Sequence, residues 1–282
     1  MVHQACGKME VQEFIKMGND ALNPSTQLSS LKQNFDNGDR SFEFLKNYTR
    51  ALYNANKLND DVIQLLLALP EASQLVTEAD FEMLSSYPKI EQAPFNFILE
   101  NREKFEALVG KDKVKDFVVS SFLNEAKSAA KENSSEKLKL ATLSLDKYTI
   151  ENKNEIIANM SWQYARVTKI ELFNAAKNYV ENFKMTDADE LNDVSWEVFL
   201  NCKNPQQLQA AEKWAKTSVD LNPNFMNTDT YANILHKLGK NKEALKYANL
   251  SIQMAIKKDA DTSETEKLRK EIELQLSKSK VK

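Results

Sequence analysis

The sequence predicts an all-α protein in which antiparallel helix pairs stack as an α-α superhelix, or solenoid. Glycine supplies only 5 of the 282 residues, and both the tight turns between strands and the βα loops of parallel folds usually need more of it. From Val11 onwards, apolar residues recur at spacings of three and four, which is the helical period. A repeated segment near the C-terminus predicts a tetratricopeptide-like arrangement there.

The N-terminal region, residues 1–110, is predicted to contain short helices and helical hairpins. One helix ends before Pro24 and the next ends before Gly38, because proline and glycine interrupt helices. Two apolar stripes, over residues 42–55 and 62–69, predict a pair of antiparallel helices. Shorter helices complete this region, and a glycine marks its end.

The middle region, residues 111–190, is predicted to contain longer helices. Residues 111–131 carry apolar side chains on one face, and a further helix follows Ser134. Helical spacing then continues to Phe183. The aromatic side chains of this region are interpreted as core residues, among them Trp162, Tyr164, Phe173 and Tyr179.

The C-terminal region, residues 191–282, contains the repeat. Ala211–Val219 aligns with Ala244–Ile252 at a shift of 33 residues, and alanines, a lysine, an aromatic residue and a serine recur in step. A period in the low thirties built from two helices is typical of tetratricopeptide repeats. Pro223 ends one unit where that repeat has its proline, but Ile256 stands at the corresponding position of the next. The three regions are expected to form one continuous solenoid with a C-terminal capping helix.

The sequence contains no recognisable motif for catalysis, a cofactor or a metal. Glycine-rich phosphate loops, G-x-S-x-G and H-E-x-x-H do not occur in it. Cys6 and Cys202 lie 196 positions apart, so two free thiols are favoured over a disulfide, and His3 and His236 form no ligand cluster with them. We therefore predict that the chain is not an enzyme and assign it no catalytic residue, cofactor or metal.

The densest acidic cluster, Asp187, Asp189, Glu190 and Asp193, is predicted to mark the start of a helix. Its spacing differs from that of a calcium loop. Acidic side chains also favour the positive N-terminal end of a helix. A helix start is therefore the favoured interpretation over a cation site.

Charge and hydropathy disfavour two classes of partner. The formal net charge is −3, without a long run of one sign, whereas nucleic-acid binders usually carry a basic stripe or patch. The longest apolar run in the leucine-rich segment, Leu65 to Leu69, is far shorter than the ~20 residues that span a bilayer. No signal peptide is visible. The residues before Val11 read like the end of a connector, and we expect that the natural protein continues upstream.

Several segments, taken together, resemble the C-terminal helical part of thioredoxin-family proteins from Bacteroides-like bacteria, and the likeness covers nearly the whole chain. In that family a thioredoxin-like domain precedes the helices, carries the redox cysteine pair and is usually exported. This chain has no Cys-x-x-Cys, so neither Cys6 nor Cys202 can inherit the redox role. The segments are EFIKMGNDALNP, SLKQNFDNGDRSFEFLKNYTRALYNANK, FNFILENREKFEALVG, ELNDVSWEVFLN, LQAAEKWAKTSVDLNP and DTYANILHKLGKNKEALKYANLSI.

The resemblance implies a non-catalytic scaffold for protein-protein or interdomain contact, the accessory region of an exported, periplasmic thiol-disulfide protein. Its partner would be the thioredoxin-like domain of the same chain. The alternative is an independent cytoplasmic adaptor that binds a peptide in a concave groove.

On the tetratricopeptide frame, Asn233 is predicted to point into the groove. Trp196 and Tyr231 are candidates for its edge, although packing between repeats is the favoured role of both aromatic side chains.

Overall fold

The computed structural model describes residues 27–148 and 150–279, most of which are helical. Fifteen α-helices joined by short turns make up these described ranges, in which there is no β-strand. The predicted all-α fold class is therefore confirmed. The predicted helix before Pro24 lies outside the described residues, and so do His3 and Cys6.

The chain divides into two compact units, residues 1–125 and residues 126–282. The division falls inside one long helix, Lys111–Lys131. A glycine with a φ of +92°, Gly110, precedes that helix and ends the one before it. The region boundaries suggested by the sequence at 110 and 190 stay predictions.

The described part of the first unit consists of short helices and the beginning of a long one. They are α1 (Leu28–Asp36), α2 (Phe42–Asn54), α3 (Asp60–Leu67), α4 (Glu78–Ser85), α5 (Ala93–Glu100), α6 (Arg102–Val109) and α7 (Lys111–Lys131). A 3-10 turn, Pro70–Gln74, follows α3. The two apolar stripes predicted for this region lie on α2 and α3, which pack against each other.

A side-chain cap and one partly buried ion pair connect helices of the first unit. Thr77 begins α4 by accepting a hydrogen bond of 3.2 Å from the backbone N–H of Asp80. The Asp80 carboxylate is 1% exposed and accepts hydrogen bonds of 2.7 Å from both Thr77 and Arg50. Because Arg50 lies on α2, this pair ties α4 to the first helical hairpin.

The second unit contains the end of α7 and eight further helices. They are α8 (Ser135–Ser144), α9 (Lys153–Thr168), α10 (Leu172–Tyr179), α11 (Ala188–Asn201), α12 (Pro205–Leu221), α13 (Phe225–Lys237), α14 (Asn241–Ile256) and α15 (Ser263–Ser279). Trp162, Tyr164 and Tyr179 are buried, as predicted, and Phe173 packs at the edge of the core.

The last five helices contact one another in a regular order. Each packs against the next one in the chain, from α11 to α15. In addition α11 contacts α13, and α13 contacts α15. The odd-numbered helices α11, α13 and α15 are therefore neighbours, with α12 and α14 packed against them.

The helix pairs α11–α12 and α13–α14 each contain an equivalent hydrogen bond. Its two donors, Ser218 and Ser251, are 33 residues apart, which is the shift of the sequence repeat. Ser218 Oγ donates to the carbonyl of Ala188, the first residue of α11, over 2.6 Å. Ser251 Oγ donates to the carbonyl of Phe225, the first residue of α13, over 2.8 Å. Both serines are buried, so each ties the second helix of its pair to the start of the first.

None of the helices within residues 27–148 and 150–279 is both long and apolar enough to cross a bilayer.

Candidate partner-binding face

The first helices of the two pairs, α11 and α13, share part of their pattern of burial, although α13 also buries Thr230 and Ile234. Each begins with a capped turn, at Asp187 and Asn224, and these positions are 37 residues apart. With that shift, four buried positions of α11 coincide with four buried positions of α13. The buried residues are Leu191, Val194, Ser195 and Val198 in α11, and Thr228, Tyr231, Ala232 and Leu235 in α13.

The same shift aligns a second set of four positions, which are at least partly accessible and lie on a different side of each helix from the buried ones. We call these residues the α11–α13 face. They are Asn192, Trp196, Phe199 and Leu200 on α11, and Asp229, Asn233, His236 and Lys237 on α13.

The predicted groove residues divide between this face and the packing between helices. Trp196 and Asn233 occupy equivalent positions on the face, and both are half-buried. Tyr231 is only 3% exposed. Its ring packs edge-on against Tyr247 at 4.6 Å, and its hydroxyl donates to Glu243 over 3.3 Å. Tyr231 therefore packs between α13 and α14, the two helices of its own pair, and is not part of the accessible face.

The most apolar part of the face is the aromatic pair Trp196 and Phe199, and a lysine ammonium lies beside one of the two rings. The rings of Trp196 and Phe199 stack with centroids 5.0 Å apart. The Lys237 ammonium lies 4.6 Å from the centre of the Phe199 ring and donates to the backbone carbonyls of Phe199 and Cys202. Burial lowers the pKa of Lys237. The lysine therefore satisfies the C-terminal carbonyls of α11, while Leu200 beside it is 56% exposed.

Asp229 links the face to the next helix. Its carboxylate accepts hydrogen bonds from Asn233 Nδ2, over 3.0 Å, and from Thr265 Oγ1 of α15, over 2.7 Å. Burial raises the pKa of Asp229, and these two hydrogen bonds oppose the increase. The polar groups of α13 at this point are thus engaged with their own helix and with α15.

Asn192 is the counterpart of Asp229 on α11 and differs from it in one respect. Its Oδ1 atom is buried and has no hydrogen-bond partner among the described residues. A buried polar atom without a partner costs roughly 1–3 kcal/mol. Because this oxygen is enclosed by the protein itself, Asn192 leaves an unsatisfied acceptor beneath the face and not one that a surface ligand reaches.

Glu197 of α11 forms ion pairs with two cations of another helix. The Glu197 carboxylate accepts from Arg166 Nε at 3.2 Å and from Lys169 Nζ at 3.1 Å, and both cations come from the end of α9. Asn201 also donates to Glu197, over 3.1 Å. Glu197 is thereby committed to holding α9 against α11.

The acidic cluster lies at the start of α11, as predicted. Asp187 caps the helix by accepting from the backbone N–H of Glu190 over 3.1 Å. Glu190 is hydrogen-bonded to Tyr179, and burial raises the pKa of both side chains. Within the described ranges, no group of three or more His, Cys, Asp or Glu side chains is arranged to hold a metal ion.

The thiol of Cys202 lines a polar pocket of about 430 Å³ at the end of α11. Burial raises the pKa of this thiol, so it is protonated near neutral pH and is a poor nucleophile. His236 Nδ1 lies 2.7 Å from Asn241 Oδ1 and joins α13 to the start of α14.

Comparisons of the chain with protein-family models, curated proteins and solved structures found no match. The function is therefore inferred from the geometry of the α11–α13 face.

Sequence reasoning missed six residues of this face: Asn192, Phe199, Leu200, Asp229, His236 and Lys237. The signal that finds them is the distance of 37 residues between the helix caps Asp187 and Asn224, since it brings the accessible positions of α11 and α13 into register.

Proposed function

We propose that this chain is a non-catalytic helical-repeat scaffold that binds a protein or peptide on the α11–α13 face. One observation carries the proposal. Two successive helix pairs share a side-chain cap on the first helix, four equivalent buried positions and a serine hydrogen bond, and four equivalent positions of each first helix are at least partly accessible. A repeated frame with variable accessible residues is the pattern of a binding scaffold.

The arrangement of these pairs supports a tetratricopeptide-like solenoid. In that architecture the first helices of successive units lie side by side and line a concave groove. The contacts from α11 to α13 and from α13 to α15 agree with it. On this proposal, Trp196 and Asn233 lie in the groove at equivalent positions of successive units.

The chemistry of the face favours an extended peptide with an apolar side chain. Trp196, Phe199 and Leu200 supply the apolar contact. Aromatic side chains dominate the energy of most interfaces, so Trp196 is the expected anchor.

The resemblance to thioredoxin-family proteins supplies one candidate partner. On that proposal the scaffold is the accessory region of an exported thiol-disulfide protein, and the face contacts its thioredoxin-like domain. The alternative is an independent adaptor for a peptide of another protein. A coding sequence that continues upstream of Met1 into a segment with Cys-x-x-Cys would favour the first partner, and an in-frame stop would favour the second.

Peptide selection tests the binding face. A random peptide library displayed on phage is selected on the wild-type protein, and the recovered peptides are titrated against variants by fluorescence anisotropy. We expect Trp196→Ala to weaken binding about tenfold or more, which is ~1.4 kcal/mol. Peptides that bind this variant as well as the wild type would show that the face is not the binding site.

Ile256→Ala is the matched control. Ile256 is 64% exposed at the end of α14, a second helix, and its truncation removes exposed apolar surface outside the α11–α13 face. We expect it to leave peptide affinity unchanged. An equal loss in both variants would indicate non-specific hydrophobic binding.

A further inference from the structure

The first unit contains a groove between α4 and α7 that is separate from the α11–α13 face. Both helices line it with residues at positions i, i+3, i+4 and i+7, the spacing of one helix face, and Val109 closes one part of it. Its volume is about 460 Å³. The lining residues, here named the α4–α7 groove, are Glu78, Phe81, Glu82 and Ser85 of α4, and Lys113, Asp116, Phe117 and Ser120 of α7.

The base of the groove is aromatic and well supported. The rings of Phe81 and Phe117 meet edge-to-face with centroids 6.3 Å apart, and only 6% and 5% of these residues is exposed. Phe105 supports Phe81 at 5.5 Å, and Phe95 supports Phe117 at 5.8 Å. Because these rings are packed on several sides, the groove is formed before any ligand arrives.

The rim of the groove is negatively charged. Glu78, Glu82 and Asp116 are exposed, and none of them has an ion pair or a side-chain hydrogen bond within the described ranges. Lys113 is the single cation among the lining residues, so three carboxylates and one ammonium leave a local charge of −2. By contrast Asp80, on the same helix as the two glutamates, is paired with Arg50.

The length of the groove fits a helical partner. A face from i to i+7 covers two turns, or roughly 10 Å at ~1.5 Å per residue. A short amphipathic helix lies in such a groove with apolar side chains at i and i+3 or i+4 directed to its base. Basic residues on its flanks would meet the three unpaired carboxylates.

We propose that the α4–α7 groove docks a short basic amphipathic helix of a partner protein, with its apolar side chains on Phe81 and Phe117 and its Lys or Arg side chains beside Glu78, Glu82 and Asp116. This site lies in the other unit of the chain from the α11–α13 face. It is therefore tested independently of the proposed peptide scaffold.

Designed peptides test the proposal with the full chain. The probe is an amphipathic helical peptide of leucine and lysine labelled with a fluorophore, and the comparison peptide has every lysine replaced by glutamate. We expect the lysine peptide to bind, with affinity that falls as salt rises, and the glutamate peptide to bind at least tenfold more weakly. Equal affinity for the two peptides would overturn the proposal.

Charge reversal locates the site. The double variant Glu78→Lys with Glu82→Lys is expected to weaken the lysine peptide tenfold or more. The control, Glu43→Lys with Glu103→Lys, changes the net charge equally at two exposed carboxylates of the same unit that do not line the groove. We expect the control to change affinity less than twofold, and equal losses in both would overturn the site because they indicate non-specific attraction.

Two further measurements complete the test. Circular dichroism of both double variants is recorded first and shows whether they are folded. If the charge-reversal variant is unfolded, Ser120→Trp replaces it, because a tryptophan at this exposed position fills the groove without changing the charge. It too is expected to weaken the peptide tenfold. Competition by free lysine amide at the same concentration as the unlabelled peptide would identify a small-cation site and overturn the helical partner.

Discussion

The helices α11 and α13 share one frame but use their accessible positions differently. On α13, Asp229 accepts from Thr265, Asn233 donates to Asp229, and Lys237 donates to the carbonyl of Phe199. On α11 the counterpart of Asp229, Asn192, has an acceptor without a partner, and that of Lys237, Leu200, is 56% exposed. The comparison teaches that the same helix position can join neighbouring helices in one unit and lack such a contact in the next.

Truncation of the shared core is expected to have the largest effect on the pair. Val198 and Leu235 are equivalent residues, and both are fully buried. Leu235→Ala is expected to lower the free energy of unfolding by about 2–5 kcal/mol. Val198→Ala removes one carbon fewer and should cost roughly 0.8 kcal/mol less. Urea denaturation measures both, and a negligible loss in either would contradict a common frame.

The polar positions test the difference between the two helices. Asp229→Ala leaves Thr265 and Asn233 without their shared acceptor, and we expect a loss of about 1–3 kcal/mol in the free energy of unfolding. Asn192→Ala removes an unsatisfied oxygen and should be neutral or stabilising. Guanidinium denaturation of the two variants in parallel measures both changes in the free energy of unfolding. The distinction fails if Asn192→Ala costs as much as Asp229→Ala.

The serine hydrogen bonds test the similarity, with the smallest effect. Ser218→Ala and Ser251→Ala each remove one buried hydrogen bond from a second helix to the first residue of its partner. A hydrogen bond of this kind contributes about 0.5–1.5 kcal/mol, so we expect similar losses in both variants. Thermal unfolding followed by circular dichroism compares them, with Thr217→Ala as the control for an exposed hydroxyl on α12.

The sequence predicted helix starts and buried faces where local chemistry determines them. Asp187 and Thr77 cap helices because a short side-chain oxygen reaches the free backbone N–H groups of the first turn. The alanines and serines of the repeat are recognisable in the sequence because small residues are needed where two helices pack closely. Ala211 and Ala244 are both fully buried.

The candidate site was only partly predictable. The spacing from Trp196 to Ala211 in the sequence is two residues longer than that from Tyr231 to Ala244, which pairs the two aromatic residues. In the structure, the caps and buried positions instead make Trp196 equivalent to Asn233 and Tyr231 equivalent to Val194. Residue type is misleading here, since a tyrosine and a valine fill the same buried position.

By itself the sequence determined the helical class and the register of α12 with α14, because periodicity, caps and small buried residues are local properties of the chain. Only the tertiary structure decided the register of α11 with α13, the engagement of Asp229 by Thr265 and the lack of a partner for Asn192. The physical reason is that a polar side chain is satisfied or left free by groups on other helices. Thr265 lies 36 positions from Asp229, and no local sequence pattern predicts that contact.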